Sequence, residues 1–254
     1  MNIINSIKNL YKGENKIAIH ISVFALAGIV AIAFVNIASL FLGHSIYSIF
    51  SVPKDQDAIM YSIIGIMIFI FFTGYKYKYA NLLFKDENTE LPSISMDCFA
   101  IFAKIFPVIF LWGTYAFLFF VLLGTIFGII AIKGIIPILF TIFLIPFINA
   151  VIILFSEKFE YRAIFANPIF IFKIIKKTFK PIILWLIQFA ILYVIVLICF
   201  KYLFNYGFTH QTRLYQLIST LFLTCLSGYV QEIIYLAYIN GIVKILKENY
   251  IKQP

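Results

Sequence analysis

A chain of 254 residues that is 63% hydrophobic and only 12% charged, with a mean hydropathy of +1.01, departs from a water-soluble domain, in which roughly 45 to 50% of residues are apolar and about 25% charged. The formal net charge of +9 does not indicate a nucleic-acid partner, because the lysines flank apolar runs and build no cationic face of their own. The expected partners are therefore the lipid bilayer, anionic lipid headgroups on the cytoplasmic side and a further membrane protein, with no nucleic acid.

A hydrocarbon core about 30 Å thick is crossed by about 20 helical residues, and lipid leaves every backbone polar group to be satisfied within its own segment. Six stretches meet that length without Asp, Glu, Lys or Arg, the last broken only by Glu232, and they predict transmembrane helices at about 18–43, 58–75, 105–132, 134–155, 181–200 and 214–243. The expected fold class is all-α: a polytopic membrane helix bundle with six transmembrane helices and short cytoplasmic interfacial amphipathic helices, forming one integral membrane domain over residues 1–254.

The N-terminal segment predicts a first interfacial helix at about 2–12, with Ile3, Ile7, Leu10 and Tyr11 on one face, Asn5, Lys8, Asn9 and Lys12 on another, and Gly13 ending it. The apolar run that follows, Ile17 to Gly43, is 27 residues long, whereas the core of a cleaved signal peptide has about 7 to 15, so it reads as a retained anchor. A second surface helix is expected at about 95–104, ahead of the third span, which carries Pro107 near its start. Little more than Lys133 and Gly134 separates the third span from the fourth, giving a tight helical hairpin, and Pro137 and Pro146 interrupt the fourth.

Between Asn167 and Lys180 the sequence NPIFIFKIIKKTFK opens with an N-cap residue and a proline at the first helical position. Lys173, Lys176, Lys177 and Lys180 share one stripe with Ile and Phe opposite, predicting an interfacial helix at about 168–180 that lies on the inner leaflet. At about 1 kcal/mol per basic residue near an anionic surface, these four contribute about 4 kcal/mol, which makes them the candidate anionic-lipid contact. The order of surface helix and two spans recurs three times, although the identity behind a repeat is confined to Pro107 and Trp112 against Pro181 and Trp185.

Orientation follows from the cations. With the N-terminus inside, 16 Lys and Arg residues fall on inner segments and only 4, Lys54, Lys133, Lys201 and Arg213, on outer ones. Such a bias orients the chain with N- and C-termini both on the cytoplasmic side.

Few residues inside the spans carry chemistry. Glu232 is the one acidic residue within a predicted span. A central carboxylate costs about 2.5 to 3.5 kcal/mol to insert, and the twelve Leu, Ile, Phe and Val residues between Leu214 and Ile239 return about 0.3 to 0.6 kcal/mol each, so the helix still enters the membrane. Gln231, Gln188 and Asn149, with Tyr229 and Tyr235, are the groups expected to meet it. Two readings stay open: a carboxylate that joins helices, or one that serves transport or binding. Asn36, Thr73 and Thr114 read as cross-helix hydrogen-bonding residues.

His44 and His210 fall outside the membrane without a third ligand, and Cys98, Cys199 and Cys225 are far apart with no CxxC, so neither metal nor cofactor is expected. Without a nucleophile motif, a zinc-protease motif, a phosphate loop or paired intramembrane carboxylates, the chain is expected not to be an enzyme. The expected function is that of a non-enzymatic integral membrane protein that organises lipid or binds partners. The alternative is a small transporter or channel component using the Glu232 carboxylate.

Gly74-Tyr75 followed by a polar stretch and Leu91-Pro92, then FEYRAIF ahead of the lysine helix, then YVQEIIYLAYINGIV closing the last span, together resemble an uncharacterised family of prokaryotic multi-span membrane proteins, the domain of unknown function 4013. This sequence is richer in Lys, Ile and Phe than that family and sparser in glycine after Gly74-Tyr75. The resemblance implies a cytoplasmic-membrane location in a bacterium or archaeon, and no catalytic residues.

Overall fold

The computed structural model describes residues 3–13, 16–42, 55–86, 90–132, 144–209 and 213–251. Among them lie seven α-helices and no strand: α1 (Ile3–Leu10), α2 (Lys16–Leu42), α3 (Asp55–Lys85), α4 (Asp97–Ile132), α5 (Ile145–Phe155), α6 (Ile169–Thr209) and α7 (Arg213–Leu246). A 3-10 turn at Ala163–Ala166 precedes α6, and a π-helical turn at Lys247–Ile251 follows α7. Among the described residues, three stretches are long and apolar enough to cross a membrane, namely Asp97–Leu122, Ile169–Asn205 and Ile218–Ile251. Lys54, Lys133 and Gly134 with their hairpin, Pro137, His44 and His210 lie outside the described residues, as does the side chain of Asn36.

Two separations expected from the sequence are absent. Segments 95–104 and 105–132 form one helix from Asp97, and 168–180 and 181–200 form one helix from Ile169. Pro107 and Pro181 sit inside these helices. Each proline removes one backbone donor, and that single loss does not end a helix whose flanking turns are held by tertiary packing. At 1.5 Å per residue the 41 residues of α6 extend about 61 Å, roughly twice a hydrocarbon core, so its lysine-bearing first turns belong to a rod longer than one membrane crossing requires. The Asn167 side chain accepts the Ile169 backbone N–H at 2.9 Å and starts this helix, as its residue type predicts. Pro146 stands at the start of the described α5, two residues after Leu144, which is π-helical, so the helical winding changes beside this proline.

Small residues set the helix spacing. α2 packs most extensively on α7; a Cβ added at Gly228 would come 2.7 Å from the Ala27 carbonyl oxygen, and one at Gly28 would come 2.6 Å from Cys225 Sγ. Apolar lipid gives helices little hydrophobic reason to associate, so close backbone approach at such positions supplies van der Waals contact instead. At the α3–α4 contact, a Cβ on Gly74 would overlap the Cys98 carbonyl, and the adjacent Tyr75 is buried.

Among the described residues, most of the buried core lies toward one end of the bundle, in Phe72–Leu83, Leu91–Trp112, Phe147–Phe155, Phe170–Trp185 and Ile233–Leu246. Polar ties reinforce that end. Asn81 Nδ2 donates to the carbonyls of Ser156 and Glu157, both at 2.8 Å, and Lys247 Nζ donates to the Leu83 carbonyl at 3.4 Å. The Trp112 indole N–H reaches the Phe165 carbonyl at 2.9 Å, and the Trp185 N–H reaches that of Tyr238 at 3.3 Å. Lys78 bridges to Asp97 at 2.8 Å and to Ser95 Oγ at 2.6 Å, fixing the start of α4 against α3.

Candidate functional site: an ion pair beside a cavity

Glu232 faces the bundle from α7, and its counter-charge comes from α3. This helix runs past the predicted span end to Lys85, which carries Lys76 alongside α7. Lys76 Nζ donates to Glu232 Oε1 at 3.0 Å and lies 2.8 Å from Oε2; the two side chains are 13% and 19% exposed. The same ammonium sits 4.7 Å from the centroid of the Tyr235 ring. Tyr235 follows Glu232 by three positions and therefore shares its side of the helix. A carboxylate and an aromatic face together hold the cation, and the cation–π contact is worth about 0.5 to 2 kcal/mol depending on desolvation.

The four candidate polar residues do not converge on one point. Asn149 Nδ2 donates to Tyr235 Oη at 3.1 Å, so it joins the ion pair one residue removed. Gln231 Nε2 donates to Ser227 Oγ at 3.3 Å on its own helix. Gln188 belongs elsewhere: its Oε1 accepts the Ile3 backbone N–H at 3.4 Å and ties α1 to α6. Lys76 was legible only as a charge at a span end, although an isolated carboxylate at that depth demands a cation.

Beside the pair lies a cavity of about 470 Å³. One wall is apolar, from Ala27, Val30, Phe69 and Phe204, and the other is the α7 stripe of Thr224, Ser227, Gln231 and Glu232. Thr224 and Glu232 are eight residues apart, so the stripe rises about 12 Å along the axis. A larger space of about 540 Å³ near Met67, Phe71 and Phe99 is almost wholly apolar and brings no charged group to bear.

A second polar cluster secures α1. His20 Nε2 lies 3.0 Å from the Leu10 carbonyl, which only accepts, so Nε2 carries the proton. In the neutral ring Nδ1 then accepts from Tyr229 Oη at 2.9 Å, and Tyr229 accepts from Tyr11 Oη at 3.1 Å. Tyr11 also stacks on His20 with centroids 4.3 Å apart. Ile3 and Leu10 are buried against α6 and α7, and Gly13 with φ +111° turns the chain into α2. The apolar face of α1 thus packs on protein.

Lys173, Lys176, Lys177 and Lys180 are all exposed on α6, with Phe170, Ile171, Ile174 and Thr178 buried on the opposite side. The apolar face expected to rest on lipid is therefore turned into the bundle. The exposed Ile169, Phe172 and Phe179 instead flank the lysines. Lys177 Nζ lies 5.4 Å from the Tyr250 ring centroid.

Cys98, Cys199 and Cys225 carry free thiols, and among the described residues no group of three or more His, Cys, Asp or Glu side chains gathers as a metal set would. Comparison of the chain with family models, with curated proteins and with solved structures returns no match.

Proposed function

We propose that this is a six-span, non-enzymatic protein of a prokaryotic cytoplasmic membrane, with N- and C-termini inside, which organises anionic lipid or a partner membrane protein through the cationic start of α6. Kinship with the domain of unknown function 4013 family is part of this proposal and rests on the three sequence motifs alone. The observation that carries the reading is the four exposed lysines with exposed Ile169, Phe172 and Phe179 beside them. Cations reach phosphate while neighbouring aromatic rings enter the acyl boundary. Purified protein in mixed micelles is expected to retain anionic over zwitterionic lipid in native mass spectrometry. Replacing Lys173, Lys176, Lys177 and Lys180 together with Gln is expected to reduce that preference at least tenfold, and an unchanged preference sinks the reading.

A second reading is favoured by the cavity at Glu232: a small transporter or channel component in which that carboxylate binds a cation. Proteoliposomes are then expected to show cation or proton flux that Glu232→Gln abolishes. Equal flux in the variant removes it.

A further inference from the structure

Lys76 displays what the Glu232 carboxylate is built to hold. Its ammonium donates to Glu232 Oε1 at 3.0 Å, lies 2.8 Å from Oε2 as an ion pair, and is capped by the Tyr235 ring at 4.7 Å. Three N–H donors, one carboxylate and one π face form a recognition set for a primary ammonium, distinct from that for an alkali ion, which wants several oxygens around it. Tyr235 is itself anchored by Asn149, so the aromatic wall is fixed in place. Glu232 also lines the cavity of about 470 Å³, and Lys76 is not among the residues that line it. Around that space Ser227 and Gln231 add polar groups, and Phe69 and Phe204 add a surface for an alkyl chain.

We propose that this cavity is a binding site for a small primary amine in its ammonium form, which enters beside α7 and takes the Glu232 carboxylate from Lys76. Lys76 is then a tethered competitor: it keeps the carboxylate neutralised when no amine is present, so that no lone charge is left within the bundle. Competition with a tethered group lowers the apparent affinity for the free amine, because the resident ammonium is present at high effective concentration. The inference rests on the binding reading of Glu232 and adds the class of ligand.

The test uses the full-length detergent-purified protein and n-butylammonium chloride as the probe, with melting temperature followed by intrinsic fluorescence. Potassium chloride and tetramethylammonium chloride at matched concentration serve as controls, the latter a cation without N–H donors. Lys76→Ala is expected to melt lower than the parent chain and to recover saturably with butylammonium, with a midpoint at least tenfold below that of the parent. The parent is expected to respond at higher concentration, and Glu232→Gln not to respond. Should Lys76→Ala fail to fold, Lys76→Gln takes its place, since it retains a polar head of similar length.

A folded Lys76 variant that shows no saturable response, or responds equally to potassium, overturns the proposal. So does a parent chain that stays unresponsive a hundredfold above the variant's midpoint. An amine response without flux in proteoliposomes upholds the site and removes transport, whereas flux without an amine response overturns the site and leaves transport to another ion.

Discussion

Lys76 and Glu232 show how an unfavourable insertion becomes a constraint on the fold. Each side chain is mostly shielded, and the two meet at 2.8 Å across α3 and α7. Removing one partner of such a pair strands the other, at a cost of about 3 to 5 kcal/mol, whereas replacing both with apolar residues of similar volume is often neutral. Lys76→Met is therefore expected to lower the melting temperature sharply, and the double variant Lys76→Met with Glu232→Leu to restore most of the loss. Equal destabilisation in the single and double variants would show that the pair does not couple. Tyr229 belongs to the same scale, since its hydroxyl joins Tyr11 to His20. Tyr229→Phe is expected to cost about 1 to 3 kcal/mol through the unmet hydrogen bonds and to expose the chain between α1 and α2 to protease, with N-terminal cleavage as the readout.

At the scale of elements, contact distance is governed by a handful of small residues. Gly74 leaves no room for a methyl group against the Cys98 carbonyl, and a backbone oxygen does not yield as a flexible side chain does. Gly74→Ala is expected to part α3 from α4 and to cost about 1 to 3 kcal/mol, the usual range for overpacking. Gly113→Ala, with open space at its position, is the control expected to leave the melting temperature unchanged. The buried indoles of Trp112 and Trp185 each hold a distant carbonyl, at Phe165 and Tyr238. They lie five and four residues after Pro107 and Pro181 in the two helices that the sequence divides and the structure keeps whole. The periodicity of Lys173 to Lys180 marked an amphipathic helix correctly, yet not what its apolar side would meet. Ile171 and Ile174 look the same in sequence whether their neighbour is lipid or protein.

For the whole molecule, the lysine-bearing ends of α3, α6 and α7 meet at the densely packed end, where Lys247 reaches Leu83 and Lys177 covers Tyr250. Under the proposed topology that end is cytoplasmic. Single cysteines placed near residue 2 and near residue 253, in a background whose native cysteines are replaced by serine or alanine, are expected to be blocked from an impermeant maleimide in intact cells and labelled in inverted vesicles. Opposite accessibility of the two termini would refute the six-span arrangement.

The amino-acid sequence by itself determined that the chain carries helices long and apolar enough to cross a membrane, because in lipid such runs satisfy their backbone hydrogen bonds internally only as helices. It also determined which charge stood out, since a carboxylate in the run from Leu214 to Val243 is conspicuous against its neighbours. Only the tertiary structure decided that Lys76 answers Glu232, that Asn149 reaches it through Tyr235, and that Gln188 instead holds α1. Those choices depend on the depth and rotation at which separate helices pack, which close approaches such as Gly228 on Ala27 and Gly74 on Cys98 set over distances no local pattern records.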